Sequence, residues 1–162
     1  MPRIENAIEI DAPADVVWRL LTDTSFIIKF FRDAVSVTVD PPGPSAVGQK
    51  YHLIGKAGRR RVEILLEVTE IVPKTLIVTK HRPGGLFKSF RQATSLEPRG
   101  PKTMARTVFD YELARGYLGK VLSLVLVQRL VKDNLASYSL TLKEFSELLP
   151  LSRSDQGVRK PY

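Results

Sequence analysis

GYLGKVLSLVLVQRLVKDNLASYSLTLKEFSELL, Gly116 to Leu149, is the stretch on which the fold turns. Val121, Leu124, Gln128, Val131, Leu135, Tyr138, Leu142, Phe145 and Leu149 recur at alternating steps of three and four, which places them on one stripe of an α-helix. Gly116 and Gly119 loosen the start, and Pro150, which lacks an amide, predicts the stop. Such a helix spans roughly 50 Å at ~1.5 Å per residue, so it needs a large surface to lie against. In its N-terminal half Leu122, Val125, Leu126, Val127 and Leu130 extend the apolar surface round the cylinder, which predicts burial on more than one side there. Gln128, the polar member of the stripe, then needs a partner, a water or a ligand.

The rest of the chain supplies that surface as strands. Ile4, Ile8 and Ile10 alternate with polar residues, with Asn6 interrupting the apolar face, and Asp11-Ala12-Pro13 opens a helix with Asp11 as its expected cap. Val16, Val17, Leu20 and Leu21 give that helix its apolar face, Thr22 to Ser25 breaks it, and Phe26 to Phe31 predicts a second, short one. Strands follow over 34–40, 49–57, 60–72, 75–82, 87–96 and 102–113, separated by Pro- and Gly-rich turns. In the fourth, Val62, Ile64, Leu66 and Val68 alternate with Glu63, Leu65, Glu67 and Thr69, which fixes the inward parity; in the last, Thr107, Phe109, Tyr111 and Leu113 share one. The parity of 75–82 is ambiguous, because Leu76 and Val78 share a face with Lys80 and Arg82. Residues 151–162 are polar and aperiodic and read as a flexible tail after a single domain over 1–150.

At 162 residues without cysteine, the chain can bury one core but has no disulfide, thiolate nucleophile or cysteine-ligated metal. The apolar runs are interrupted by Ser123, Gln128 and Arg129, and the N-terminus has no basic-then-apolar pattern, so a cytoplasmic location without a transmembrane segment is expected. A net charge of +8 favours anionic surroundings without choosing among nucleic acid, anionic lipid and an acidic ligand. Arg59-Arg60-Arg61 at a hairpin reads as a solvated edge; with no interleaved aromatics to stack bases, nucleic acid is not favoured. His52 and His81 lie in separate strands without a carboxylate at ligand spacing, so neither a metal nor another cofactor is expected. No nucleophile elbow or phosphate-cradling glycine motif occurs.

The order of strand, two short helices, six strands and a long terminal helix carries further local features. These are Ile8-Glu9-Ile10-Asp11-Ala12-Pro13-Ala14-Asp15-Val16-Val17-Trp18, Asp23 ending its helix, Val47-Gly48-Gln49-Lys50-Tyr51 opening the third strand, and the junction of last strand and long helix. Together they resemble the SRPBCC superfamily, which includes START domains and the birch pollen allergen family, and in particular its polyketide cyclase/dehydrase family. The resemblance covers roughly residues 3 to 149. It implies an α+β helix-grip fold, with a curved antiparallel sheet of about seven strands wrapped around the C-terminal helix and an apolar cavity between them that takes lipids, polyketides or other hydrophobic molecules. From the residues alone, a broad apolar helix against a one-faced sheet encloses either a packed core or a pocket.

The expected wall of such a pocket is Ile64, Leu66, Val68, Phe109, Tyr111, Val121, Leu124, Gln128 and Leu135, with Tyr111 and Gln128 orienting the ligand by hydrogen bonds and a mouth near Pro83 to Leu86 and Phe26 to Phe31. Arg91, Gln92 and Arg106 are further polar groups on the late strands. Parity places no carboxylate or histidine securely inside, so no catalytic residue is assigned and ligand binding leads. The alternatives are a polyketide cyclase/dehydrase-type enzyme using the same pocket, and a basic adaptor for an acidic partner or a membrane surface. The apolar N-terminal half of the last helix equally fits a dimer contact, leaving monomer and homodimer open.

Overall fold

The computed structural model describes residues 2–31, 34–57, 59–82, 87–114 and 121–156. Strand β1 (Arg3–Ile10) leads into α1 (Ala14–Thr22), a single 3-10 turn (Thr24–Phe26) and α2 (Ile27–Phe30). Then come β2 (Ala34–Asp40), β3 (Lys50–Ala57), β4 (Arg60–Val72), β5 (Leu76–His81), β6 (Phe87–Arg99), β7 (Lys102–Leu113) and α3 (Val121–Gln156). The strands form one antiparallel sheet in the order β1-β7-β6-β5-β4-β3-β2, so the first strand closes beside the last. The sheet curves around α3, which packs against β1, β7, α1 and α2 in a helix grip.

Alternation determines which side of the sheet receives the helix. On β7, Thr103, Ala105, Thr107, Phe109, Tyr111 and Leu113 are all buried and none of the residues between them is. On β4, Leu66 and Val68 are buried, Ile64 is half-buried, and Glu63 and Leu65 are exposed. Register shifts on β2, β4 and β6, at Ala34/Ser36, Val68/Glu70 and Phe87/Ser89, mark bulges that add bend and twist. The β6–β7 turn needs Gly100, whose φ of 61° is left-handed. On the outer face, cross-strand pairs join Arg106 to Glu5 (2.6 Å), Lys102 to Glu9 (3.4 Å), Lys88 to Glu112 (2.9 Å), and Arg3 and Arg91 to Asp110 (3.7 and 3.9 Å).

Two expectations about helix ends are corrected. Asp11 does not cap α1: the helix starts after Pro13, and the Asp11 amide instead donates to Glu147 Oε1 at 2.9 Å, tying the β1–α1 corner to α3. Pro150 does not stop α3, which continues to Gln156, so the expected tail is helical through that residue, and 157–162 lie outside the described residues. A proline inside a helix removes one backbone bond and crowds the preceding turn, and a helix can accommodate this by a kink rather than an end. Gly116 and Gly119 also lie outside the described residues.

The buried stripe of α3 is Val127, Val131, Leu135, Tyr138 and Leu142. The expected stripe therefore holds from Val131 to Leu142, with Phe145 half-buried against the core, and is displaced before it, where Val127 takes the inward place predicted for Gln128; the side chain of Leu149 lies outside what the structure describes. Burial on several sides of the N-terminal half is also corrected, because Val125, Leu126 and Leu130 are 62, 63 and 51% exposed.

Candidate functional site: a buried polar band inside the grip

Among the described residues the interior contains two apolar clusters. One gathers α1, α2, Tyr51, Leu53, Leu66, Val68, Leu96 and Ala105 under Tyr138 and Leu142; the other packs Ile4, Phe109, Tyr111 and Leu113 under Val127, Val131 and Leu135. A band of neutral polar groups lies between them.

Register builds this band. Thr94 of β6 stands directly opposite Thr107 of β7, and both are turned inward by strand parity. Their hydroxyls are 3.2 Å apart, and Thr94 Oγ1 lies 3.5 Å from the Tyr138 hydroxyl, which descends from α3. The Gln92 side chain, two residues before Thr94 on the same face, also hydrogen-bonds Tyr138. The Tyr138 ring is fixed against Phe30 of α2, with centroids 5.0 Å apart. Burial pushes the Tyr138 hydroxyl up to about 12, opposed by the hydrogen bonds from Thr94 and Gln92 and reinforced by charge on nearby Tyr51. At neutral pH it is therefore a neutral O–H that can donate and accept, not a base. Tyr51, whose hydroxyl bonds Ser45 Oγ at 2.8 Å, is likewise raised by burial.

Aromatic rings line the inner face beside the band. Phe87 packs on Phe90 and edge-on to Tyr111 at 5.7 and 5.8 Å, and Phe90 packs edge-on to Phe109. His81 meets Phe87 and Phe90 edge-on at 6.4 and 6.2 Å and stands opposite buried Leu66 in the β4–β5 register. Directly opposed residues share a face, so His81 belongs to the inner side. Sequence parity left it unassigned.

The expected wall residues separate as follows. Leu66, Val68, Phe109, Tyr111 and Leu135 are buried and face the interior, and Ile64 is half-buried against the first cluster. Burial also raises the Tyr111 hydroxyl. Gln128 is exposed, which corrects its assignment as a ligand-orienting group. The side chains of Val121 and Leu124 lie outside what the structure describes, as does the expected mouth at 83–86. Phe26 and Phe30, also placed at the mouth, pack on Phe145 and Tyr138. Thr94, Thr107, Tyr138 and His81 are not among the expected wall residues: Tyr138 lies on the helical stripe, Thr107 shares the inward parity of the last strand and Gln92 is one of the polar groups noted on the late strands, but only the β6–β7 register brings the band together. Among the described residues no group of three or more histidines and carboxylates is placed to hold a metal ion.

No curated protein matches the chain. Among solved structures it is similar to a Thermus thermophilus protein, TTHA0849, with 23% identity over 90% of this chain and 97% of that one and a TM-score of 0.75. It is also similar to the Zhui aromatase/cyclase from a Streptomyces species (16% identity, 91 and 95% covered, TM-score 0.76). A START superfamily protein from Mycobacterium smegmatis matches at 18% identity, 91 and 98% covered and a TM-score of 0.72. At these identities the likeness is one of fold. A family model described as polyketide cyclase / dehydrase and lipid transport matches residues 1–144, from β1 through every strand of the grip and into the buried stripe of α3, and the chain belongs to that family.

Proposed function

We propose that the protein binds a hydrophobic small molecule or lipid between the sheet and α3, with the polar band hydrogen-bonding the ligand's oxygen-bearing end. The observation that carries this reading is the Tyr138–Thr94–Thr107–Gln92 band between two apolar clusters. A few placed polar groups in an otherwise apolar lining is the usual composition of a small-molecule site. Each hydroxyl has one donor and two acceptor positions, and the bonds at 3.2 and 3.5 Å leave capacity for a ketone, ester or hydroxyl. A carboxylate or phosphate would suit this neutral band less well, since a buried charge needs a counter-charge. Ile64, Leu66, Val68, Phe109, Tyr111 and Leu135 form the proposed wall.

Native mass spectrometry of protein from its own host, with organic extraction, tests the reading. A stoichiometric hydrophobic molecule is expected, and Leu135→Trp should exclude it while the circular dichroism spectrum stays unchanged. Uptake of the extracted molecule that is equal in Leu135→Trp and the parent would refute the wall.

A second reading, a cyclase/dehydrase-type enzyme in the same interior, is favoured by one observation. His81 is a titratable group on the inner face beside the aromatic rings, and general acid–base chemistry on a poly-ketone needs one. Turnover of the extracted molecule that disappears in His81→Gln, with binding retained, would select it over simple binding.

A further inference from the structure

The first described turns of α3 have two apolar sides. Val127 and Val131 are buried against the sheet, whereas Val125, Leu126 and Leu130 stand 62, 63 and 51% exposed on the outside of the same turns. Arg129 and Lys132 are exposed beside them. The sequence from Arg115 to Lys132 holds Arg115, Lys120, Arg129 and Lys132 and no carboxylate; Asp133 is the first acid on the outward side, followed by Glu144. Across β1, β6 and β7, by contrast, the surface cations are paired with carboxylates.

We propose that this outward face of α3 docks on an anionic lipid bilayer, with Val125, Leu126 and Leu130 entering the interface and Arg129 and Lys132 meeting lipid phosphates. An apolar strip beside cations is the pattern of a helix lying in a membrane interface, where burial and headgroup attraction act together. A second copy fits less well. A twofold contact would place the patch against itself, and three side chains cover far less than the ~800 Å² per partner of a stable interface. The +8 net charge of the chain adds long-range attraction to the same surface.

Flotation with vesicles of phosphatidylcholine alone, and of phosphatidylcholine mixed with phosphatidylserine, tests this on the full chain. Binding is expected to the mixed vesicles only and to weaken as salt rises. Arg129→Gln/Lys132→Gln should lower it roughly 25-fold, at about fivefold per cation near the surface. Leu126→Ser/Leu130→Ser should lower it at least tenfold with thermal stability unchanged, because both side chains already face water. Lys56→Gln/Lys80→Gln removes the same charge from the sheet strands and should leave binding within about twofold of the parent. Equal loss in the two charge variants would reduce the effect to net charge and overturn the patch. So would absence of binding by the parent, equal binding to neutral vesicles, or a dimer in solution that Leu126→Ser/Leu130→Ser dissociates.

Discussion

The Tyr138 hydroxyl makes the interior testable through alkaline stability. The folded state holds its proton up to about 12 against an ordinary value of 10.0. Above the ordinary value the unfolded chain sheds the proton while the folded one keeps it, so stability falls as pH rises. The contribution is complete below the unfolded pKa and is lost between the two. For one group with these constants the loss by about pH 11 is RT times the logarithm of about ten, or ~1.4 kcal/mol. Tyr138→Phe removes this dependence but also removes the hydroxyl from Gln92 and Thr94, at a cost of about 1 kcal/mol; Thr94 still has Thr107. The variant should therefore be about 1 kcal/mol less stable than the parent near neutral pH and draw level with or slightly exceed it by about pH 11. Tyr51 and Tyr111, whose hydroxyls are raised in the same direction, are present in both proteins and cancel in the comparison. Urea unfolding followed by circular dichroism across this range, paired with tyrosinate absorbance, measures the crossover. A stability difference that stays constant into the alkaline range would mean that Tyr138 titrates as a solvated phenol, and the buried band would fall with it.

Three further outcomes follow from other parts of the grip. Glu147, whose carboxyl is lowered by its hydrogen bond from Lys143 and then by the Asp11 amide, contributes stability above the ordinary carboxyl value of 4.5 and loses it as pH falls through the lowered one. Glu147→Gln should cost about 1 kcal/mol at neutral pH and nothing in strong acid, as read by urea midpoints in the two conditions. Leu142→Ala, at a position 1% exposed under α3, should destabilise by about 2 to 5 kcal/mol in the same assay through lost burial and a residual cavity. Gly100→Ala should cost about 1 to 2 kcal/mol from backbone strain at φ 61° alone, since nothing lies within 4 Å of the added methyl, and crystallography of the variant should show no side-chain rearrangement.

How far the sequence carries the structure depends on whether a pattern has one solution. On β7 it has one: Thr107, Phe109, Tyr111 and Leu113 can share only one face, and that face is inside. On α3 before Val131 it has two. Apolar residues flank both sides of Gln128, so stripes through Leu124 and Gln128 or through Val127 satisfy the same spacing, and only the packed sheet selects Val127. On β5 the apolar residues Leu76, Ile77 and Val78 are consecutive, so parity could not be read. The register shift at Val68/Glu70 and the pairing of His81 with Leu66 then decide that the histidine faces inward. The band itself is a property of register. Thr94, Thr107 and Tyr138 lie on three elements, and pairing β6 one residue differently would move the two hydroxyls apart.

The two ends of α3 are held in different ways, and this bears on how a ligand would enter the proposed site. Towards the C-terminus, Lys143 Nζ donates to the Glu9 carbonyl at 2.9 Å, Glu147 accepts from the Asp11 amide, and Phe145 and Tyr138 pack on Phe26 and Phe30. The two hydrogen bonds are directional and tie this end to the β1–α1 corner. Over 125–137, among the described residues, no hydrogen bond joins α3 to the sheet, and attachment rests on Val127, Val131 and Leu135. Lifting that end in water re-exposes three apolar side chains at ~1.5 to 3 kcal/mol each, roughly 6 kcal/mol together and an opening populated on the order of one part in 10⁴. Against an apolar surface the exposed side chains meet hydrocarbon instead of water, and most of that cost disappears. Among the described residues, the stretch 125–137 without a hydrogen bond to the sheet is also the one whose outward face carries Val125, Leu126 and Leu130. If the proposed docking occurs there, it would lower the cost of opening the grip at that end, and uptake of a ligand into the proposed site is then expected to be faster with anionic vesicles than without them.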